Sequence, residues 1–122
     1  MKFLLLLVSL CISGIINANN YYFSSSTGDD SRTSTQAQNP ATPWKTIGKL
    51  NSFFNSLNAG DNVYFQRGDI FYGTITINRS GTLGSPITLS AYGTGANPVI
   101  TGFTSITDIV LMKPLGPHQF LI

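Results

Sequence analysis

The chain contains few residues that could take part in acid–base chemistry. It has no glutamate among its 122 residues, and its aspartates are Asp29, Asp30, Asp61, Asp69 and Asp108. Catalysis by paired carboxylates needs two such groups that converge from opposite sides of the reacting bond. Asp29 and Asp30 are adjacent in a polar loop, and adjacent side chains rarely converge in this way. The sequence therefore predicts no catalytic residue.

Metal and cofactor sites are not predicted either. Asp29 and Asp30 could help to hold Ca²⁺, but the alternating oxygen ligands of a dedicated calcium loop are missing, which favours a solvated loop. Cys11 is the only cysteine, and His118 is the only histidine. A single histidine without a second ligand or a nucleophile is most simply a surface residue.

Two tripeptides have the form of recognition motifs. Arg67-Gly68-Asp69 spells an integrin-binding tripeptide, but it follows a predicted strand, and Gly-Asp has its own turn chemistry there, so a turn is favoured. Asn78-Arg79-Ser80 has the form of a glycosylation acceptor on a turn, which matters only in a eukaryotic host.

Aromatic side chains recur along the predicted strands and could stack on sugar rings. Packing or surface cover is the more frequent role of aromatic residues at alternating strand positions. The residues concerned are Tyr64, Phe71, Tyr72 and Tyr92.

Composition excludes several classes of partner. Only 10% of residues are charged and the formal net charge is +2, so neither a nucleic-acid footprint nor a membrane-surface footprint is present.

The first eighteen residues combine Lys2, an apolar run from Phe3 to Ile16 and a small residue at Ala18, which is typical of a secretory signal peptide. The apolar run is too short for a membrane span. The residues before Cys11 do not fit a lipoprotein signal. We therefore expect a secreted, extracellular or periplasmic protein.

The predicted strands that would position these residues recur about every twelve residues. Apolar residues recur at Val63, Ile75, Ile87, Val99 and Leu111, separated by polar, glycine-rich segments. This spacing fits an antiparallel sandwich or a parallel β-helix with coils of about 24 residues. In the second case Val63 would stack on Ile87 and Leu111, and Ile75 on Val99.

One amphipathic helix is predicted before the strands. Thr42 is a suitable N-cap, Pro43 suits the first helical position, and apolar residues follow from Trp44 to Leu57 at steps of three and four. Tyr21 to Phe23 predict a short strand, and residues 27–41 read as a loop.

The segments "PWKTI", "GD", "RGD", "GSPI" and "YG", between Pro43 and Gly93, resemble the N-terminal part of secreted right-handed parallel β-helix proteins of the pectin-lyase-like superfamily. The resemblance covers Tyr21 to about Thr107. It implies an all-β fold, a right-handed parallel β-helix or solenoid, with an N-terminal amphipathic capping helix and about two to three coils. The members of this superfamily include polysaccharide lyases, glycoside hydrolases and noncatalytic adhesins. None of their site motifs matches here, and Ca²⁺ is implied only for a full-length parent.

The expected organisation has four parts. Residues 1–18 form the signal peptide, 19–61 the first strand, loop and capping helix, 62–113 the first coils, and 114–122 an off-pattern tail. Because the regular spacing of strands and turns ends after Asp108, we expect a truncated product that associates through an uncovered last coil.

The sequence predicts a secreted fragment of a longer protein that binds or cleaves polysaccharide. The fragment itself is predicted to be inactive. The alternative is a noncatalytic, adhesin-like or surface-display module, and a third hypothesis is a complete small β-sandwich binding domain.

Overall fold

A computed structural model describes residues 17–102 of the chain. Five short strands and two short helices make up its regular structure. In chain order these are β1 (Asn20–Phe23), α1 (Ser34–Ala37), α2 (Ile47–Phe53), β2 (Asn62–Gln66), β3 (Ile70–Tyr72), β4 (Thr88–Tyr92) and β5 (Val99–Thr101), with a 3₁₀ turn at Phe54–Ser56 after α2.

The larger sheet contains three parallel strands in the order β1-β2-β4. Val63 lies opposite Tyr21 on one side and Leu89 on the other. Successive side chains of a strand point to opposite faces. The buried residues Tyr21, Phe23, Val63 and Phe65 therefore share the inner face, and the residues between them form the outer face.

The smaller sheet pairs β3 with β5, also in parallel. Phe71 lies opposite Ile100, and the ladder extends to Gly73, whose N–H donates to the Thr101 carbonyl at 2.8 Å. Phe71 is buried and its ring lies 5.1 Å from that of Phe65, so the two sheets share one core.

Aromatic rings dominate the centre of this core. Trp44 is 1% exposed, and its ring contacts those of Tyr21, Phe23 and Phe53 at centroid distances of 4.8 to 6.0 Å. Its indole N–H donates to the Arg32 carbonyl at 2.6 Å, which satisfies the one polar atom of the buried ring.

Helix α2 covers the core but starts later than the sequence predicts. Thr46, not Thr42, is the N-cap, and its hydroxyl accepts from the Lys49 N–H at 3.1 Å. Trp44 is instead paired in parallel with Phe23: its N–H donates to the Tyr22 carbonyl and its carbonyl accepts from the Ser24 N–H. Pairing with β1 therefore extends the backbone at Trp44 and delays the helix.

The predicted all-β solenoid is wrong. The described region is a small mixed α/β structure with short parallel sheets, and it shows no β-helix and no stack of uniform coils. Val63 pairs with Leu89 instead of Ile87, and Val99 pairs with Ile70 instead of Ile75. Residues 75 and 77 lie outside any strand. Leu111 and the off-pattern tail lie outside the described residues.

Within residues 17–102, no helix has the length and apolar character that crossing a membrane requires.

Candidate functional site

The outer face of the three-stranded sheet carries a row of uncharged hydrogen-bonding side chains. We call this surface the tyrosine face. It consists of Asn20, Tyr22, Asn62, Tyr64, Gln66, Thr88, Ser90 and Tyr92. Amides, hydroxyls and aromatic rings are the groups that bind polar, uncharged ligands.

The three tyrosines form one contact group. Tyr22 and Tyr64 are register partners on neighbouring strands, and their rings stack at 5.4 Å with an interplanar angle of 20°. The ring of Tyr92 meets that of Tyr22 edge to face at 5.0 Å. All three side chains are half-buried. Mutual packing covers part of each ring, and the row offers hydroxyls to a ligand.

Hydroxyl partners differ along the row. Tyr92 donates to Gln66 Oε1 at 3.3 Å, whereas the hydroxyls of Tyr22 and Tyr64 have no protein partner among residues 17–102. Asn62 Nδ2 donates to Asn20 Oδ1 at 2.9 Å, which fixes the amides at the start of β1 and β2. Two free hydroxyls beside fixed amides could therefore exchange hydrogen bonds with a ligand.

Burial strongly shifts the pKa of one of these phenols. It raises the pKa of Tyr92 to about 12, and the negative charge of Asp69 and the neighbouring Tyr22 add to the shift. Tyr92 therefore stays a neutral hydrogen-bonding group over the whole physiological range.

The predicted carboxylates are engaged in loop structure. Asp30 accepts from the backbone N–H groups of Lys45 and Thr46 and from the Thr46 hydroxyl. Asp29 accepts from the hydroxyl and the N–H of Ser31, and these hydrogen bonds lower its pKa. Because Asp29 and Asp30 bind different groups, the two carboxylates do not converge on one ligand.

Asp61 is fully buried and accepts from two backbone N–H groups, those of Asn19 at 2.9 Å and Asn58 at 2.8 Å. It joins the start of β1 to the turn before β2. The sequence names it among five aspartates and in the Gly60-Asp61 pair of the resemblance, but nothing local marks it as buried.

The Arg67-Gly68-Asp69 segment forms a turn, as the sequence predicts. Gly68 has φ +86°, and the Asp69 N–H donates to the Gln66 carbonyl. The Asp69 carboxylate accepts from the Ser24 hydroxyl at 2.7 Å and the Ser26 hydroxyl at 3.0 Å. Asp69 therefore ties the turn to the end of β1 and is not free to serve as a recognition group.

Two clefts flank the sheets. One, of about 300 Å³, lies between Phe54, Ile87 and Leu89 and the loop around Arg79. The other, of about 310 Å³, lies between β3 and the start of α2 and is lined by Ser25, Lys45, Ile47 and Tyr72. Phe71 and Tyr72 also line this second cleft, and both belong to β3 of the smaller sheet, so they do not join the tyrosine face.

Residues 17–102 contain no group of three histidine, cysteine, aspartate or glutamate side chains that could hold a metal ion. Cys11, Asp108 and His118 lie outside the described residues. Asn78 is exposed and lies in a segment without regular structure, outside the turn at residues 83–84.

Sequence reasoning missed Tyr22 and the amides that complete the tyrosine face. The sequence places Tyr22 in a short strand but assigns it no face, and it does not indicate Asn20 or Asn62 as site residues. The repeated pattern Asn-x-Tyr at residues 20–22 and 62–64 was the available signal, since parallel strands in register place like residues side by side.

Comparison with known proteins places the chain beside lacto-N-biosidases. No protein-family model matches it. A lacto-N-biosidase from Bifidobacterium longum subsp. longum is 36% identical over 80 residues, which is 63% of this chain and 5% of that protein. Crystal structures of the GH136 lacto-N-biosidase from Eubacterium ramulus, native and as the selenomethionine derivative, match 66% of this chain at 34% identity with a TM-score of 0.56.

These matches correct the expected family. The resemblance to the pectin-lyase-like superfamily is not supported, because the similar structures are GH136 lacto-N-biosidases. The more general expectation holds: the chain is similar to part of a glycoside hydrolase, a carbohydrate-acting class. It spans only 5% of the Bifidobacterium protein and 12% of each Eubacterium chain.

Proposed function

We propose that this chain is part of a secreted carbohydrate-acting protein of the glycoside hydrolase type, and that its tyrosine face contacts the sugar. The observation that carries the proposal is the row Tyr22, Tyr64 and Tyr92, with two hydroxyls that no described residue occupies. The similarity to lacto-N-biosidases over 63 to 66% of the chain supports a carbohydrate ligand.

The chemistry of this face favours an uncharged sugar. Its eight side chains include no lysine, arginine, aspartate or glutamate. A neutral sugar offers hydroxyls that both donate and accept, and amide and phenol groups can match both roles. A carboxylated sugar would find no cation on this surface.

The described region is proposed to bind and not to cleave. Its four aspartates each hold backbone or hydroxyl groups of the fold itself, as shown above for Asp30, Asp61 and Asp69. Hydrolysis by paired carboxylates would then depend on residues outside this region of a longer protein.

Binding can be tested by titrating the ¹⁵N-labelled full chain with a lacto-N-biose-containing oligosaccharide and following amide shifts. The double variant Tyr22→Phe/Tyr64→Phe keeps both rings and removes both free hydroxyls. We expect about three- to tenfold weaker binding for each hydroxyl lost, which is the worth of a neutral hydrogen bond.

Tyr72→Phe is the matched control, because this exposed tyrosine lies on the other sheet. It should leave affinity unchanged, and the shifted amides should belong to β1, β2 and β4. Shifts confined to the cleft at Tyr72, or equal affinity of the double variant, would contradict the proposal.

A further inference from the structure

Asn19 occupies an unusual position at the start of the fold. Its backbone nitrogen donates to the buried Asp61 carboxylate at 2.9 Å, and its carbonyl accepts from the Asn62 N–H at 2.8 Å. Asn17 and Ala18, which precede it, are exposed. The hydrogen bonds of residues 17–102 therefore begin at Asn19, which is the first residue after the predicted cleavage point.

Asp61 lacks a cationic partner within residues 17–102. It is 0% exposed, and the groups that satisfy it are the uncharged N–H groups of Asn19 and Asn58. No lysine or arginine of the described region forms an ion pair with it. A buried carboxylate without a counter-charge is costly, and a cation placed against it recovers part of that cost.

We propose that hydrolysis of the Ala18–Asn19 peptide bond completes the fold by placing a new α-ammonium group against Asp61. A leader peptidase would add one water across the bond: the hydroxyl of water completes the carboxyl group of Ala18, a hydrogen of water goes to the nitrogen of Asn19, and the amine so formed takes up one proton. That nitrogen already lies at hydrogen-bond distance from Asp61 Oδ1, so cleavage replaces a hydrogen bond from an uncharged N–H by a partly buried ion pair without moving the backbone.

The inference uses the signal-peptide prediction, but it concerns a different property. The signal peptide explains export, whereas the ion pair would make the cleaved chain more stable than its precursor. The mature form would then be distinguished by charge at one buried site, and not only by length.

The ion pair has a defined pH dependence. An ordinary α-amino group titrates near pH 8, and a neighbouring carboxylate favours its charged form, so its pKa rises in the folded state. The extra stability should be complete below about pH 8 and should disappear as pH rises through the raised value. Tyr21 is the other titratable group facing this site; burial, and then Asp61, raise its pKa, so it stays neutral there.

The first test is N-terminal sequencing of the secreted chain, which should start at Asn19. The second compares urea unfolding of that chain with two matched forms, one N-acetylated at Asn19 and one that retains Asn17 and Ala18. The free-amine form should be the most stable at pH 6, by roughly tenfold in the folding equilibrium constant for each unit by which the pKa rises. Its advantage should vanish at high pH.

The Asp61→Asn variant separates charge pairing from chain length. In this background the free-amine and acetylated forms should unfold at the same urea concentration. If Asp61→Asn does not fold, the pH profile of the unsubstituted pair of forms decides. A different N-terminus, equal stability of free and acetylated chains at pH 6, or a difference that persists in Asp61→Asn would overturn the proposal. None of these outcomes depends on sugar binding.

Discussion

At the scale of single residues, the Tyr92 phenol should ionise late, because burial raises its pKa. Its pKa of about 12 arises first from burial and then from Asp69 and Tyr22. Because the folded-state pKa lies above the ordinary tyrosine pKa of 10.0, the neutral phenol stabilises the fold below pH 10, and this contribution is lost as pH rises from 10 to about 12. An ultraviolet titration of phenolate should show a late component that Tyr92→Phe removes. Tyr72→Phe should leave that component in place.

Gly28 is a second residue whose role can be tested alone. Its N–H donates to the Ser24 carbonyl at 2.9 Å, and a Cβ added there would lie 2.2 Å from the carbonyl oxygens of both Ser24 and Trp44. Gly28→Ala should therefore cost about 3 kcal/mol, the upper range for overpacking, because the obstructing atoms are backbone. Gly84→Ala, where no heavy atom lies within 4 Å, is the control for thermal unfolding. Equal melting temperatures would contradict this prediction.

At the scale of elements, the start of α2 can be decided by comparing two threonines. Thr46 caps the helix through its hydroxyl and also donates to Asp30 at 2.5 Å. Thr42 donates to the Gln36 carbonyl and lies outside the helix. Thr46→Ala should lower the free energy of unfolding by about 1 to 2 kcal/mol, and Thr42→Ala by less. If Thr42→Ala were the more harmful change in urea unfolding, the helix would start where the sequence alone predicts.

The same elements show how far sequence reasoning reaches. The strand at Tyr21–Phe23, the apolar faces of Val63 and Phe65, and the turn at Gly68 follow from local chemistry, and the structure contains them. The sequence does not indicate the helix start because Trp44 pairs with Phe23, which lies 21 positions earlier in the chain.

The strand register and α1 were missed for other reasons. Equal spacing predicted that Ile87 would lie beside Val63, but the loop before β4 shifts the partner to Leu89. Helix α1 has a readable capping box, Thr33 with Gln36, within a segment that composition alone assigned to loop. The tyrosine face needed the register before it could be recognised, since Tyr22 joins Tyr64 only through strand pairing.

At the scale of the whole molecule, the core is covered at β2 and exposed at β4. Val63 is 0% exposed, whereas its partner Leu89 on the same face is 36% exposed. In the smaller sheet Phe71 is 1% exposed and its partner Ile100 is 42% exposed. Strand edges with uncovered apolar residues promote association. The chain should therefore self-associate in a concentration-dependent way through the surface of β4 and β5.

This association can be separated from general hydrophobicity. Leu89→Thr should shift sedimentation towards monomer, because it removes apolar surface at the open end of the core without breaking a strand hydrogen bond. Leu83→Thr is the matched control, since Leu83 is fully exposed on a loop away from the strands. Sedimentation velocity over a range of concentrations should show less association for Leu89→Thr and no change for Leu83→Thr. An equal response of the two variants would indicate nonspecific contact, and a monomeric unsubstituted chain would show that the exposed strand faces do not associate.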